Sequence, residues 1–179
     1  MQRWTHLARP GGTVLDIACG QGRHMQWFTS HGFSTTGIDR SAEALTSARQ
    51  YGTSIEADIE NGHWPLMDGL LPQQFDVVIV INYLWRMLMP TLIQCLAPGG
   101  LLLYETFAIG NACVGKPSRP DFLLQPGELL KVCQSLHIVA YEDGFLNQPE
   151  RFVQRIAAIR QTHDIDKFRS PDRHPLSLK

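Results

Sequence analysis

The order of apolar segments predicts a doubly wound α/β fold, in which helices cover both faces of a mostly parallel sheet. Between Thr13 and Thr106, short β-rich runs alternate with segments of helical pattern. One run, Phe75–Ile81, is apolar at nearly every position, as is typical of a central strand buried on both faces. The first run ends in an acid followed by Gly-x-Gly, which is a strand-to-helix turn. Parallel strands joined in this way require right-handed crossovers.

The first 106 residues are predicted to form five strands and three helices. The strands are Thr13–Ile17, Phe33–Ile38, Ser54–Ala57, Phe75–Ile81 and Leu101–Thr106. The first helix spans Arg23–His31, and the second follows Ser41, a natural N-cap. The third begins at Pro90 and ends at Leu96. Glycines and prolines disfavour a long helix over residues 59–74.

The pattern changes after the fifth strand. Residues 107–124 are rich in Gly and Pro and predict a long loop, of the kind that often acts as a lid. Pro126–Cys133 has a helical pattern, and His137–Tyr141 and Phe152–Ile159 predict an antiparallel hairpin because the link between them shows no helix. We expect a single domain over residues 1–160. A polar tail, disordered or loosely packed, is expected over residues 161–179.

Composition narrows the class of protein. The chain has 179 residues, of which 44% are hydrophobic and 18% charged, and a net charge of −1, so nothing favours a nucleic-acid partner. The four cysteines form no Cys-x-x-Cys pair and are interpreted as reduced thiols, with no metal site, in a cytoplasmic protein. No signal peptide and no membrane span are predicted.

Polar side chains end four successive predicted strands. They are Asp16, Asp39, Asp58 and Asn82. Ligands of open α/β sheets bind beyond the carboxyl ends of the strands, so this set predicts a binding crevice. A carboxylate at the first strand end repels a pyrophosphate, and it suits a ligand that offers an ammonium group or ribose hydroxyls.

Two glycines refine this prediction. Gly20 and Gly22 allow a tight turn and close approach of a ligand to the main chain. A dinucleotide fingerprint needs a small residue three positions after Gly22, where this chain has Met25. A nicotinamide cofactor is therefore the least favoured hypothesis.

Five segments in order resemble the class I S-adenosylmethionine-dependent methyltransferases. They are VLDIACGQGRH from Val14, TGIDRS from Thr36, EADIE from Glu56, FDVVIVIN from Phe75 and LAPGGLLLYE from Leu96. The later segments PSRPDFLLQPGELL and VAYEDG are similar to parts of small bacterial members whose substrate is unassigned. The GQGR portion resembles, locally, the tellurite-resistance methyltransferases. The resemblance implies a Rossmann-like seven-stranded sheet of order 3-2-1-4-5-7-6 with the last strand antiparallel.

The resemblance also implies how S-adenosyl-L-methionine binds. Asp39 would accept hydrogen bonds from both ribose hydroxyls, and Asp58 from the adenine amino group beside Ile59. Asp16 would face the methionine part, and Arg23 either meets its carboxylate or points into solvent. The full set of expected cofactor residues is Asp16, Ala18, Cys19, Gly20, Gly22, Arg23, Asp39, Arg40, Asp58, Ile59 and Asn82.

The expected reaction is methyl transfer to a small-molecule acceptor, which yields S-adenosyl-L-homocysteine. The expected catalytic residues are Asn82, Tyr83 and Glu105, of which Tyr83 or Glu105 could take a proton from the acceptor. Tyr83 could equally be a packing residue. The cover of the site is expected from residues 83–89 and 107–124 or from a second subunit, in a monomer or homodimer.

The sequence is also compatible with two other functions. One is a non-catalytic or regulatory module that keeps the cofactor crevice. The other, less favoured by the near-neutral charge, is an RNA or protein methyltransferase.

Overall fold

The secondary structure contains nine strands and four α-helices within residues 2–162 and 173–176, the part of the chain that the computed structural model describes. The strands are β1 (Thr13–Ile17), β2 (Ser34–Asp39), β3 (Thr53–Glu56), β4 (Met67–Asp68), β5 (Leu71–Pro72), β6 (Phe75–Ile81), β7 (Leu96–Phe107), β8 (His137–Asn147) and β9 (Glu150–Ile159). The helices are α1 (Arg23–Ser30), α2 (Ala42–Ala48), α3 (Met89–Gln94) and α4 (Glu128–Val132). Short 3-10 helices span Gln2–Leu7, Arg86–Leu88, Ile109–Cys113 and Pro120–Phe122.

Seven strands form one sheet of order β3-β2-β1-β6-β7-β9-β8. Strands β1, β2, β3, β6 and β7 are parallel, and β9 is antiparallel to both β7 and β8. Because β6, β7, β8 and β9 correspond to the fourth to seventh predicted strands, the predicted order and the antiparallel last strand are confirmed. The remaining strands, β4 and β5, form a separate short hairpin.

Some boundaries differ from the sequence prediction. The closing hairpin is longer than expected, because β8 continues to Asn147 and β9 begins at Glu150. Helix α4 begins at Glu128, since Gly127 precedes it in the left-handed region with φ of 70°. Most of the expected polar tail lies outside the described residues.

The sheet is covered on both faces, and β6 supplies side chains to each. Val77 belongs to a cluster with Phe28 of α1 and Leu103 of β7. Val78 belongs to a larger cluster on the opposite face, with Leu129 of α4. Both valines are fully buried, as predicted for a central strand. Within the described residues, no helix has both the length and the apolarity that a membrane crossing requires.

The two glycines after β1 differ in what surrounds them, and this difference predicts unequal losses of stability. A Cβ at Gly22 would lie 2.9 Å from Cα of Ala48 on α2, whereas a Cβ at Gly20 meets nothing within 4 Å. Both have positive φ, so alanine costs about 1–2 kcal/mol of strain at either site. Overpacking adds about 1–3 kcal/mol at Gly22 only. Urea unfolding of the ligand-free protein should show Gly22→Ala as the less stable variant, and equal midpoints would contradict the packing argument.

Candidate active site

A crevice of about 370 Å³ lies where the carboxyl ends of β1, β2, β6 and β7 meet. This is the edge at which open α/β sheets bind ligands. Seven residues that the sequence predicts for the site line this crevice, which are Ala18, Asp39, Arg40, Asp58, Ile59, Asn82 and Tyr83. The structure therefore brings most of the predicted constellation together.

Asp39 ends β2 and organises the glycine turn. Its Oδ2 accepts a hydrogen bond from the backbone N–H of Gly20 at 2.8 Å, and its Oδ1 accepts one from Ser41 N–H, also at 2.8 Å. Each carboxylate oxygen has a further lone pair. Asp39 can therefore hold the turn and still accept hydrogen bonds from a ligand in the crevice.

Asp58 and Ile59 form the next part of the wall. Asp58 is exposed, and its Oδ1 accepts a hydrogen bond from Glu60 N–H at 3.0 Å, which fixes the direction of the carboxylate. Ile59 and Ile38 are buried apolar residues of the same crevice. An acceptor oxygen next to apolar walls suits a flat heterocycle that carries an amino group.

Asp16 lies buried beside this edge, with a side-chain oxygen that lacks a partner. Its exposed fraction is 1%, and its Oδ2 has no hydrogen-bond partner among the described residues. Burial raises the pKa of Asp16 to about 8, the positive charge of Arg23 opposes this rise and the negative charge of Asp39 adds to it. The Nδ1 of His24 lies 4.0 Å from this oxygen, too far for a hydrogen bond, so a cationic ligand group would satisfy the oxygen.

Two non-glycine residues at the crevice adopt the left-handed conformation. They are Ala18, with φ of 52°, and Asn82, with φ of 56°. Such strained residues are common at binding sites. The N–H of Asn82 donates to the carbonyl of Glu105 at 2.8 Å, which fixes the turn after β6. Asparagine tolerates this conformation, but nothing in the sequence marked Ala18 as strained.

The other predicted cofactor residues lie outside the crevice. The Cys19 side chain packs with Met25 and Leu45, and burial raises the pKa of its thiol to about 12. The main chain of this turn is also engaged, because Cys19 N–H donates to Ile38 O at 3.0 Å and Gly20 N–H donates to Asp39. Arg23 lines a second cavity.

The two proton acceptors that the sequence predicts are in different environments. The hydroxyl of Tyr83 is buried without a partner among the described residues, and burial together with Glu60 raises its pKa well above the usual value. A neutral Tyr83 hydroxyl is a hydrogen-bond donor more readily than a base. Glu105 is buried, with Oε1 3.1 Å from Arg151 and Oε2 2.7 Å from Arg155. These ion pairs occupy both of its oxygens.

The predicted lid contributes to the crevice. Pro117 and Phe122, both within residues 107–124, line it. Asn111 is buried and holds this segment, since its Nδ2 donates to Pro117 O at 3.0 Å and its Oδ1 accepts from Phe152 N–H at 3.3 Å. Cover from this segment agrees with the sequence analysis.

Sequence reasoning missed the second cavity, which has a volume of about 630 Å³. Four residues that were not singled out as site residues supply most of its charge and aromatic surface, namely Arg3, Trp4, Arg151 and Arg155. The available signal was the spacing of Arg151 and Arg155, which places both side chains on one face of a strand. The predicted strand began at Phe152 and left Arg151 out.

Comparison with known proteins shows a likeness to methyltransferases. Residues 14–100 match a family model described as a methyltransferase domain. A malonyl-[acyl-carrier protein] O-methyltransferase of Pectobacterium atrosepticum is 32% identical over 111 residues, which are 58% of this chain and 42% of that protein. The chain thus matches less than half the length of this curated relative.

Solved structures share the fold. TehB from Haemophilus influenzae superposes with a TM-score of 0.69 and 18% identity, over 88% of this chain and 60% of TehB. A structure described as a SAM-dependent methyltransferase, from Methanosarcina mazei, gives a TM-score of 0.68 and 16% identity, over 88% of this chain and 96% of that one. The chain is therefore similar to a methyltransferase domain over residues 14–100, and it shares the fold of a solved SAM-dependent methyltransferase.

Proposed function

We propose that this protein transfers the methyl group of S-adenosylmethionine to a small-molecule acceptor and releases S-adenosylhomocysteine. The observation that carries this proposal is the buried Asp16, whose Oδ2 has no hydrogen-bond partner among the described residues, beside a crevice lined by Asp39 and Asp58. The name of the relative from Pectobacterium atrosepticum, an O-methyltransferase, supports transfer to an oxygen atom.

The residues present fit the cofactor. Asp16 would hold its ammonium group, Asp39 its ribose hydroxyls, and Asp58 with Ile59 its adenine ring. Gly20 leaves open space above the turn, since nothing lies within 4 Å of the position that a Cβ would take. When bound, the cofactor would supply a methyl carbon to which an acceptor lone pair forms a bond, while the carbon–sulfur bond breaks with its electron pair on sulfur and the proton of a hydroxyl acceptor passes to solvent water.

The residues of the chain contribute mainly by orienting the acceptor and the methyl group relative to each other. Asn82 lies between the crevice and the second cavity, because it lines both. We assign Asn82 to the position at which the acceptor meets the methyl group. The neutral hydroxyl of Tyr83, which lines the crevice, would donate a hydrogen bond at the same rim. Correct orientation of two reactants can contribute about 7–11 kcal/mol, so a strong general base is not required.

Asp39→Ala tests the cofactor part of the proposal. We expect binding of S-adenosylhomocysteine to weaken by about 1.5–3 kcal/mol, because two charge-assisted hydrogen bonds are lost. Isothermal titration calorimetry measures this loss, and Glu56→Ala, an exposed carboxylate outside the crevice, is the matched control.

A second ligand separates direct contact from disturbance of the turn. The analogue of S-adenosylhomocysteine without ribose hydroxyls should bind equally to wild type and Asp39→Ala. If the variant loses the same affinity for both ligands, Asp39 acts only through Gly20 and Ser41, and the ribose assignment is wrong. Unchanged affinity for S-adenosylhomocysteine would remove Asp39 from the cofactor site.

A further inference from the structure

The second cavity adjoins the crevice but opens on the other face of the sheet. Glu105 lines the cavity and the next residue, Thr106, lines the crevice. Successive side chains of a strand point to opposite faces, so the two spaces are divided by β7 and meet at Asn82. At about 630 Å³ this space is large enough for a small organic molecule.

Its charge is unlike that of the rest of the chain. Four arginines and two glutamates line it, an excess of two positive charges, whereas the whole chain carries a net charge of −1. We call this space the arginine cavity; its charged residues are Arg3, Arg23, Arg151, Arg155, Glu105 and Glu142. A low-dielectric cleft lined by one sign of charge attracts ligands of the opposite sign.

Both glutamates of the arginine cavity already form ion pairs with its arginines. Arg151 and Arg155 contact one oxygen each of Glu105, at 3.1 and 2.7 Å. Arg155 also contacts one oxygen of Glu142, at 3.3 Å, and Arg3 contacts the other. All four carboxylate oxygens of the cavity therefore have a guanidinium partner.

Donors, in contrast, remain in excess. A guanidinium group has five N–H donors, and the Nε of Arg151 is buried without a partner among the described residues. Among the described residues, the Arg23 side chain has one hydrogen bond, 3.4 Å from its Nη2 to Nε2 of His24. A planar guanidinium with free donors is the group that proteins use to bind carboxylates.

The uncharged part of the lining is partly apolar, and its polar members include Gln2, Asn82 and Tyr141. Trp4, Trp27, Ile81 and Ile156 contribute to the walls. His24 adds no charge at neutral pH, because burial and the nearby Arg23 lower its pKa to about 4. A ligand that matches this lining has an apolar body and one anionic group.

We propose that the arginine cavity binds a carboxylate of the methyl acceptor through Arg151, so that the acceptor is a small organic acid with an apolar body. This inference rests on the proposed function. The same chemistry could also come from the methionine carboxylate of the cofactor, which Arg23 would meet. The experiment below separates these two sources of a carboxylate.

The test compares acids with their primary amides at saturating S-adenosylhomocysteine. The probes are benzoate, 3-phenylpropionate and octanoate, each paired with its amide and measured by thermal shift and calorimetry. We expect at least one acid to bind and its amide to fail. Arg151→Gln should weaken that acid at least tenfold and leave affinity for S-adenosylhomocysteine within twofold of wild type. Arg151→Lys, which keeps the charge, should retain part of the acid binding, and Arg119→Gln, an exposed arginine outside the cavity, should change nothing.

The other outcomes decide separately between the inference and the proposed function. If S-adenosylhomocysteine binds and no acid binds in preference to its amide, the inference is overturned and the proposed function stands. If Arg151→Gln weakens S-adenosylhomocysteine as strongly as the acid, the cavity serves the cofactor and the inference is overturned. If S-adenosylhomocysteine does not bind, the proposed function fails, and the same pairs on the ligand-free protein decide the inference by whether acid binding depends on Arg151.

Discussion

Asp16→Asn is expected to weaken binding of S-adenosylhomocysteine by about 1.5–3 kcal/mol, roughly 10- to 150-fold. Asparagine has nearly the same shape, but it lacks the negative charge that would pair with the ammonium group of the ligand. Titration calorimetry measures the loss. Wild-type affinity in the variant would mean that Asp16 lies outside the cofactor site.

The pH dependence of binding provides a sharper test of Asp16. Burial raises the pKa of this carboxyl to about 8 in the free protein, and a bound ammonium group would lower it. A proton must then leave on binding below pH 8, so affinity should rise between pH 6 and 8, by at most about tenfold per unit. Asp16→Asn should bind with little dependence on pH over this range. Calorimetry in two buffers of different ionisation enthalpy should show proton release for the wild type only.

The same shift predicts that this substitution stabilises the ligand-free protein. The carboxyl ionises near pH 3.8 when unfolded and near pH 8 when folded, so the folded state binds more protons between these values. Stability of the wild type therefore falls as pH rises through this window. Asp16→Asn removes this loss and should gain about 1–3 kcal/mol at pH 8, measured by urea unfolding. A variant that loses both stability and affinity would indicate a structural role for Asp16.

The sheet could be predicted from sequence because its signals are local. The apolar run of β6 and the turn after β1 each specify an element without reference to the rest of the chain. The length of the closing hairpin could not be predicted in this way. Residues 142–147 of β8 are mostly exposed, so they carry no apolar pattern, and pairing with β9 alone makes them a strand.

The candidate site likewise has one part that the sequence predicts and another that only the folded structure shows. Acids at strand ends are visible in sequence, and the structure brings Asp39 and Asp58 to one crevice. The surroundings of Glu105 were not visible, because its partners lie 46 and 50 residues away on an antiparallel neighbour. Register between β7 and β9 places Arg155 opposite Glu105, and only the folded sheet sets that register.

Arg86→Ala should loosen the lid, because this side chain joins the turn after β6 to residues 107–124. Its Nη1 donates to Asp121 O at 2.7 Å and its Nη2 to Leu123 O at 2.9 Å. Its Nε and Nη2 also donate to Glu128 on α4, at 2.7 and 3.0 Å. The Arg86 side chain is 39% exposed, so we expect a loss of about 1–3 kcal/mol in stability rather than the larger cost of a fully buried pair.

The stability that Arg86→Ala loses should depend on pH, because the side chain is paired with Glu128. Burial alone would raise the pKa of Glu128, but hydrogen bonds from Arg86 and from the N–H of Gln125 outweigh it and hold the pKa below the usual 4.5. The ion pair therefore contributes stability above pH 4.5, and this contribution is lost as pH falls through the folded pKa. The difference in stability between wild type and Arg86→Ala should shrink in the same direction.

Two comparisons distinguish a lid clamp from a general surface charge. Arg86→Lys should recover only part of the stability, since an ammonium group cannot reach two carbonyls and a carboxylate with the planar geometry of guanidinium. Arg119→Ala removes an exposed arginine from the same segment and should change stability by less than about 0.5 kcal/mol. Because Phe122 lines the crevice, Arg86→Ala should also weaken S-adenosylhomocysteine several-fold, whereas Arg119→Ala, which loses only the contact of an exposed guanidinium with the Phe122 ring, should weaken it less. Equal urea midpoints and equal affinities for these two alanine variants would show that Arg86 does not hold the lid.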